Sequence, residues 1–169
     1  MPNIEIEHKY QVKDLEVIKK GLQKIGAKRE GEKHVVDVYF EVPNNPEGRK
    51  YLRVRNKGGK SEISYSYAES ESDTHGWETA VESKEMAEEI FLQLGFKHDV
   101  IVDKKRETYV YKNSEVVLDT VANLGSFVEI EAPNHKELST IANELGLTEE
   151  ARVKGMGYPD LIRGHLILN

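Results

Sequence analysis

Residues 3–12 read Asn-Ile-Glu-Ile-Glu-His-Lys-Tyr-Gln-Val, and this stretch decides the fold. Apolar and charged side chains alternate along it, which is the pattern of a β-strand with one apolar and one polar face. The polar face carries Glu5, Glu7 and Lys9. Like charges two residues apart on a strand face lie only about 7 Å apart and repel each other unless an opposite charge lies between them. This face is therefore expected to lie either in solvent or opposite charges of the other sign.

Seven further segments show the same two-residue alternation. Short turn-rich stretches separate several of them and are typical of hairpins, so neighbouring strands are predicted to be antiparallel. The predicted strands lie at about residues 34–42, 51–57, 61–68, 77–82, 99–112, 115–122 and 126–132.

Three amphipathic helices are predicted between the strands. Each has a capping residue at its start and a glycine at its end: Asp14 and Gly26, Ser83 and Gly95, and Asn134 and Gly146. The second helix is expected to turn Met86, Ile90, Phe91 and Leu94 inward. A last helical stretch after Thr148 is expected to break near Pro159, because proline interrupts a helix interior.

The composition excludes several classes of protein. The chain has 169 residues, with 24 Lys and Arg against 30 Asp and Glu and a net charge of −6. It therefore lacks the excess positive charge that neutralises nucleic-acid phosphates. It has no cysteine, which excludes disulfides and thiolate metal sites and is compatible with a reducing cytoplasm. The sequence shows no signal-peptide pattern and no run of about 20 apolar residues. We expect a single domain over residues 1–169, soluble and cytoplasmic, that binds neither nucleic acid nor membrane.

The charged strand faces carry the functional information. Guanidinium and ammonium groups pair on some strands (Arg53 with Arg55, Lys104 with Arg106), carboxylates pair on others (Glu129 with Glu131), and Asp119 stands alone among valines. Solvated outer faces of a sheet would explain any single pair. Taken together, carboxylate pairs suit the hard cations Mg²⁺ and Mn²⁺, and Arg and Lys pairs suit phosphate. Eight strands closed into a barrel with these faces inward would hold metal ions and a polyanion in one lumen, with the helices outside.

The first strand and several later motifs together resemble the CYTH superfamily, also called triphosphate tunnel metalloenzymes. The E-x-E-x-K pattern of Glu5, Glu7 and Lys9 is the hallmark of that superfamily, and the resemblance extends over nearly the whole chain. The order of the motifs is most similar to class IV adenylyl cyclases, with thiamine triphosphatases and tripolyphosphatases as relatives. The other matching positions are Asp37 to Phe40, Leu52 to Arg55, Lys104 to Arg106 with Tyr109, Leu118 with Asp119, Leu124 to Glu131, and Tyr158 with Leu161.

The resemblance implies an α+β protein with an eight-stranded antiparallel barrel that forms a tunnel, and a reaction on a triphosphate that depends on Mg²⁺ or Mn²⁺. The substrate would be ATP, thiamine triphosphate or tripolyphosphate, and a homodimer is left open. The resemblance assigns catalysis to Glu5, Glu7 and Lys9. It assigns metal binding to Glu5, Glu7, Glu129, Glu131, Asp119 and Glu78, and triphosphate binding to Lys9, Arg53, Arg55, Lys104 and Arg106.

The chain departs from the family pattern at two positions. Where relatives read roughly L-T-x-K, the aligned run here ends in Ser66, and residues 61–83 contain no Lys or Arg. Where relatives often read R-x-E-x-E, Glu78 is kept but Ala80 replaces the second carboxylate. Losing one charge-assisted phosphate contact costs about 1.5–3 kcal/mol. One alternative hypothesis is a weakly active or inactive module that binds a nucleotide or polyphosphate; another is a barrel whose lumen charges satisfy one another without any ligand.

Overall fold

Eight antiparallel strands form a closed barrel in a computed structural model that describes residues 2–168, with side chains described for residues 2–165. The strands are β1 (Asn3–Val12), β2 (Lys28–Phe40), β3 (Lys50–Lys57), β4 (Lys60–Ala68), β5 (Asp73–Val81), β6 (His98–Tyr111), β7 (Ser114–Val121) and β8 (Gly125–Glu131). They follow the order β5-β4-β3-β2-β6-β7-β8-β1, and a β5–β1 pairing closes the ring. A two-residue strand, β9 (Arg152–Val153), pairs with β1 outside that ring. The helices are α1 (Leu15–Lys24), α2 (Lys84–Gln93), α3 (His135–Glu144) and α4 (Tyr158–Leu168).

The predicted architecture, an α+β protein with an eight-stranded antiparallel barrel and helices outside it, is confirmed. The main difference lies in β2, which begins at Lys28 rather than near residue 34. Its first residues are mostly exposed on both faces while they pair with β6. Because neither face is buried there, the sequence carries no alternation that would reveal the extension.

Helices α1 and α3 cover one side of the barrel and form its largest apolar core. Leu22 of α1 and Leu138 of α3 are fully buried, and they belong to one cluster with Val116 and Ile130 from the outer faces of β7 and β8. The predicted caps form: Asp14 accepts from the Glu16 N–H at 2.8 Å. Ser83 and Asn134 likewise accept from the N–H groups of Met86, at 3.1 Å, and Glu137, at 2.9 Å. No helix in the described chain is both long and apolar enough to cross a membrane.

The prediction for the inner face of α2 is wrong for three of its four residues. Met86, Ile90 and Leu94 are 61%, 50% and 69% exposed, and only Phe91 packs against the barrel, with its ring 5.2 Å from that of Phe40. Small Ala87, one turn before Phe91, is the buried residue of the helix. The helix therefore rests on the convex barrel wall through the narrow stripe of Ala87 and Phe91.

Proline 159 begins a helix and does not break one. The segment after Thr148 forms a short 3-10 turn (Glu149–Ala151) and then β9, and α4 follows with Pro159 as its second residue. The first turn of a helix tolerates proline because the N–H groups there have no intrahelical partner.

Replacing Leu22 by Ala is expected to lower the free energy of unfolding by about 3 kcal/mol, because it leaves a cavity where α1 meets the barrel. Urea unfolding of the variant and the wild type measures this change. The exposed residue Val17 of the same helix provides the control, since Val17→Ala removes apolar volume from a side chain that is 61% exposed. A loss in Leu22→Ala no larger than the loss in Val17→Ala would contradict the assigned core.

Candidate active site

The barrel encloses a polar cavity of about 320 Å³. Strand alternation turns one face of every strand toward this cavity, so charged residues two apart on a strand meet in the lumen. Ten of the eleven predicted site residues line the cavity: Glu5, Glu7, Lys9, Arg53, Arg55, Glu78, Lys104, Arg106, Glu129 and Glu131. The eleventh, Asp119, is fully buried behind them.

The start of α4 forms part of the cavity wall. The Tyr158 ring packs edge-on against Phe127, with 5.2 Å between ring centroids. The ammonium nitrogens of Lys9 and Lys104 each lie 4.5 Å from the centroid of the same ring. Tyr158 therefore stabilises two cavity cations through the negative face of its ring.

Asp37 on β2 holds the Arg55 guanidinium in the basic wall of the cavity. Two hydrogen bonds join them, from Arg55 Nε to Oδ1 at 2.5 Å and from the second nitrogen to Oδ2 at 2.9 Å. Burial alone would raise the pKa of Asp37, but Arg53 and Arg55 hold it well below its usual range. A two-bonded pair of this kind fixes the plane of the guanidinium before any ligand arrives.

A second buried carboxylate, Asp119 on β7, organises the cations of β6. It accepts from Arg106 Nε at 2.8 Å, from Lys104 Nζ at 3.1 Å and from the Tyr158 hydroxyl at 2.8 Å. Burial, with Arg106 close by, lowers the pKa of Lys104 to about 8. Both oxygens of Asp119 therefore accept hydrogen bonds from side chains of the protein.

Glu129 on β8 is likewise engaged by cations. Lys9 Nζ lies 2.7 Å from one of its oxygens, and Arg106 donates to the other. Burial would raise the pKa of Glu129, whereas Lys9 and Arg106 together hold it well below its usual range. Burial also opposes the charged form of Lys9, yet Glu129 and Glu7 raise its pKa. Lys9 therefore stays protonated in the lumen.

Arg53 differs from the other arginines of the wall. Within the described chain no carboxylate oxygen lies within 4.0 Å of its guanidinium, and its buried Nε has no hydrogen-bond partner. Burial opposes its charged form, whereas Tyr39 and Asp37 raise the pKa of Arg53. A buried donor without a partner costs about 1–3 kcal/mol, so this position favours an incoming anion.

Carboxylates dominate the opposite wall, on β7, β8, β1 and β5. Glu131 stands directly across from Glu7 on one neighbouring strand and from Glu115 on the other. Directly opposed like charges destabilise a sheet. Burial raises the pKa of Glu131 to about 7, and the negative charges of Glu5, Glu115 and Glu7 contribute to this rise. Burial and the charge of Glu7 also raise the pKa of Glu5.

The donor chemistry of this acidic wall fits a hard divalent cation. Its ligating atoms are carboxylate oxygens, which Mg²⁺ and Mn²⁺ prefer. In the described residues no three acidic or histidine side chains are already drawn together to the spacing of a metal site.

Three charged cavity residues have no role assigned from the sequence: Lys57, Glu62 and Glu115. Asp37, buried behind the cavity wall, belongs to a matching motif but likewise has no function assigned from it. Alternation was the available signal, since Lys57 shares the β3 face of Arg53 and Arg55. The two departures from the family pattern lie on β4 and β5: Ser66 lines the cavity opposite Gly76, and Ala80 lies opposite Glu62.

Comparison with known proteins places the chain among relatives of similar length. The family model of the CYTH domain matches residues 3–155. A Methanocaldococcus jannaschii protein named "Putative adenylate cyclase MJ0240" is 30% identical over 152 residues, covering 87% of this chain and 85% of that protein. The structure of the PH1012 protein from Pyrococcus horikoshii OT3 is 36% identical with a TM-score of 0.84, covering 93% of this chain and 98% of that one. The Hippeastrum protein HpAC1 shares the fold at 14% identity and a TM-score of 0.61, covering 87% of this chain and 89% of its own.

Proposed function

The chain belongs to the CYTH domain family, and we propose that its tunnel binds a triphosphate together with Mg²⁺ or Mn²⁺ and catalyses cleavage of the phosphate chain. The observation that carries this proposal is that a basic wall and an acidic wall face each other across the cavity. One wall holds Arg53, a cation without a carboxylate partner, and the other holds the opposed carboxylates Glu7 and Glu131. A polyanion with a bound divalent cation would satisfy both walls at once.

The basic wall would bind and orient the phosphate chain. Arg53 supplies an unpartnered donor, whereas Asp37 and Asp119 hold Arg55 and Arg106 in place. Because these partners fix the guanidinium groups before the substrate arrives, little reorganisation remains at the moment of reaction. Lys9, kept protonated by Glu129, adds a positive charge toward the developing negative charge of the transition state.

The acidic wall would hold the cation through Glu5, Glu7 and Glu131, with Glu78 on the neighbouring strand. A bound divalent cation supplies Lewis-acid polarisation of phosphate oxygens and lowers the pKa of an attacking hydroxyl or water. Asp119 and Glu129 are not proposed as ligands of the divalent cation, because each already accepts hydrogen bonds from lumen cations. Their proposed role is to position the Lys and Arg side chains.

We propose a reaction of the adenylyl-cyclase type first, in which the 3′-hydroxyl of ATP attacks the α-phosphorus and pyrophosphate leaves. The support is the name of the Methanocaldococcus relative, a putative adenylate cyclase at 30% identity. Hydrolysis, in which water attacks the terminal phosphorus of ATP, thiamine triphosphate or tripolyphosphate, uses the same two walls. HpAC1, a protein of this fold, is described as showing a dominant triphosphatase activity.

The second candidate function is a module that binds a nucleotide or polyphosphate and turns it over poorly. It is favoured by the wall formed by β4 and β5, where residues 61–83 contain no Lys or Arg. Ser66 and Gly76 face each other here, and neither supplies a cation to this part of the cavity.

Phosphorus NMR on the purified protein tests the proposal, with Mg²⁺ or Mn²⁺ and, in separate samples, ATP, tripolyphosphate and thiamine triphosphate. Pyrophosphate with a cyclic nucleotide from ATP would establish cyclisation. Orthophosphate with a shortened chain would establish hydrolysis and identify the substrate. Spectra that stay unchanged over hours, combined with calorimetric binding of the same compounds, would favour the binding module. The absence of both turnover and binding would contradict the proposed function.

Glu7→Gln is expected to lower the turnover seen in that assay at least about tenfold, because it removes one proposed metal ligand. Its unfolding temperature without metal should be unchanged or higher, since the change removes repulsion between Glu7 and Glu131. Glu144→Gln, at an exposed position of α3, is the matched control and should keep wild-type turnover. Wild-type rates in Glu7→Gln would contradict the assignment of this strand face.

A further inference from the structure

Lys57 is a cavity residue that the proposed reaction leaves without a role. It is the last residue of β3 and lies on the face that carries Arg53 and Arg55, each two residues apart. Gly58 and Gly59 follow it with φ angles of +60° and +84°, which glycine adopts freely, and they turn the chain into β4. The tight turn fixes the end of β3, so the side chain of Lys57 continues the row of cations along the wall.

The surroundings of Lys57 are unfavourable for a cation in the absence of a ligand. In the part of the chain whose side chains are described, no carboxylate lies within 4.0 Å of its ammonium group, and it makes no hydrogen bond. The side chain is half-buried, and burial, Arg106 and Arg55 lower its pKa; Lys33 adds to this effect and Glu115 opposes it. A lysine at a strand end usually extends into water. Lys60, directly opposite on β4, is exposed and does not line the cavity.

The position of Lys57 also matters because of what the neighbouring strands lack. After Lys60, which does not line the cavity, β4 and β5 carry no Lys or Arg. The cations that line the cavity in the described chain therefore all come from β1, β3 and β6. Within β3, Lys57 is the cation farthest from Tyr51, whose hydroxyl donates to Asp160 of α4 at 2.6 Å. It extends the basic row beyond Arg55, away from the α4 end of the cavity.

We propose that Lys57 binds the phosphoryl group that lies beyond Arg55 in a bound triphosphate and so selects a chain of three phosphates over a chain of two. This inference rests on the proposed function, because it assigns one contact within the same tunnel. A flexible ammonium group with three donors suits a terminal phosphoryl group, whose oxygens have no fixed orientation. The three cations Arg53, Arg55 and Lys57 then favour a ligand with three phosphates, because only such a ligand reaches Lys57.

Calorimetric titration with hydrolysis-resistant analogues tests the proposal in the presence of Mg²⁺. The probes are diimidotriphosphate, which has three phosphorus atoms, and imidodiphosphate, which has two. Lys57→Met is expected to raise the Kd for the longer analogue about tenfold or more and to change the Kd for the shorter one less than about twofold. Lys57→Arg keeps the charge and should bind the longer analogue within about threefold of wild type.

Lys60→Met controls for the charge of the hairpin, since it removes a positive charge directly opposite Lys57 but outside the cavity lining. It should bind both analogues like wild type. Equal losses in Lys57→Met and Lys60→Met, or equal losses for both analogues in Lys57→Met, would overturn the assignment.

Two further outcomes separate this inference from the proposed function. Wild-type affinity of Lys57→Met for the longer analogue, together with weakened binding in Arg53→Met, would overturn the role of Lys57 but would still support triphosphate binding in the tunnel. Failure of the wild-type protein to bind either analogue would overturn both.

Discussion

Replacing Arg53 by Met is expected to lower turnover of the preferred triphosphate on the order of 10²-fold while shifting the unfolding temperature by less than about 2 °C. A single fixed donor aimed at developing charge is worth about 10²–10³-fold in rate. Arg53 fits that description because its Nε is buried and has no partner. No carboxylate in the described chain lies within 4.0 Å of it, and when Arg53 is removed the buried carboxylate of Asp37 keeps its two hydrogen bonds from Arg55.

Steady-state kinetics and thermal unfolding measured on the same preparation check this prediction. Arg49→Met, at an exposed position just before β3, is the matched control and should retain wild-type turnover. Turnover within about threefold of wild type in Arg53→Met would show that this guanidinium does not face the reacting phosphates.

Arg55 shows why the choice of arginine matters for such a test. Arg55→Ala would also lower activity, but it would leave the buried carboxylate of Asp37 without its two-bonded partner. Breaking a buried ion pair from one side costs about 3–5 kcal/mol. We therefore expect lost activity in Arg55→Ala to be accompanied by lost stability, which separates it from Arg53→Met.

Asp119→Asn is expected to destabilise the fold by about 3 kcal/mol, which lowers the unfolding temperature by about 6–12 °C for a chain of this size. The change removes the negative charge that Lys104 and Arg106 share. The same carboxylate also accepts a hydrogen bond from the Tyr158 hydroxyl. Asn keeps nearly the same volume, so the loss would come from charge and not from a cavity.

Urea unfolding of Asp119→Asn measures the predicted loss. Asp103→Asn makes the same chemical change on β6 at an exposed position whose partner is His34, and it should cost less than about 0.5 kcal/mol. If the two variants lost equal stability, Asp119 would not be the organising counter-charge of the lumen.

Much of the site was predictable from the sequence because strand alternation is a local property. Residues two apart on a strand share a face in any β-structure, so the grouping of Glu5 with Glu7 and of Arg53 with Arg55 needed no tertiary information. The helix caps at Asp14, Ser83 and Asn134 were predictable for the same reason, since each cap is satisfied within three residues.

Residues far apart in the chain meet only through barrel register, and no local pattern contains that information. Register places Glu131 across from both Glu7 and Glu115, which makes the acidic wall. It also brings Asp119 to Lys104, so a carboxylate that the resemblance assigns to metal holds cations instead in our proposal.

The amino-acid sequence by itself therefore determined which charges share a strand face, because that grouping depends only on residues two apart in the chain. Closure of the barrel decided which of those charges are satisfied by the protein and which are left for a ligand. Asp37 pairs with Arg55, whereas Arg53, two residues earlier on the same face, has no carboxylate within 4.0 Å in the described chain, and its Nε has no hydrogen-bond partner. Whether a buried charge has a partner depends on distances of a few ångströms between separate strands, and only the tertiary structure sets those distances.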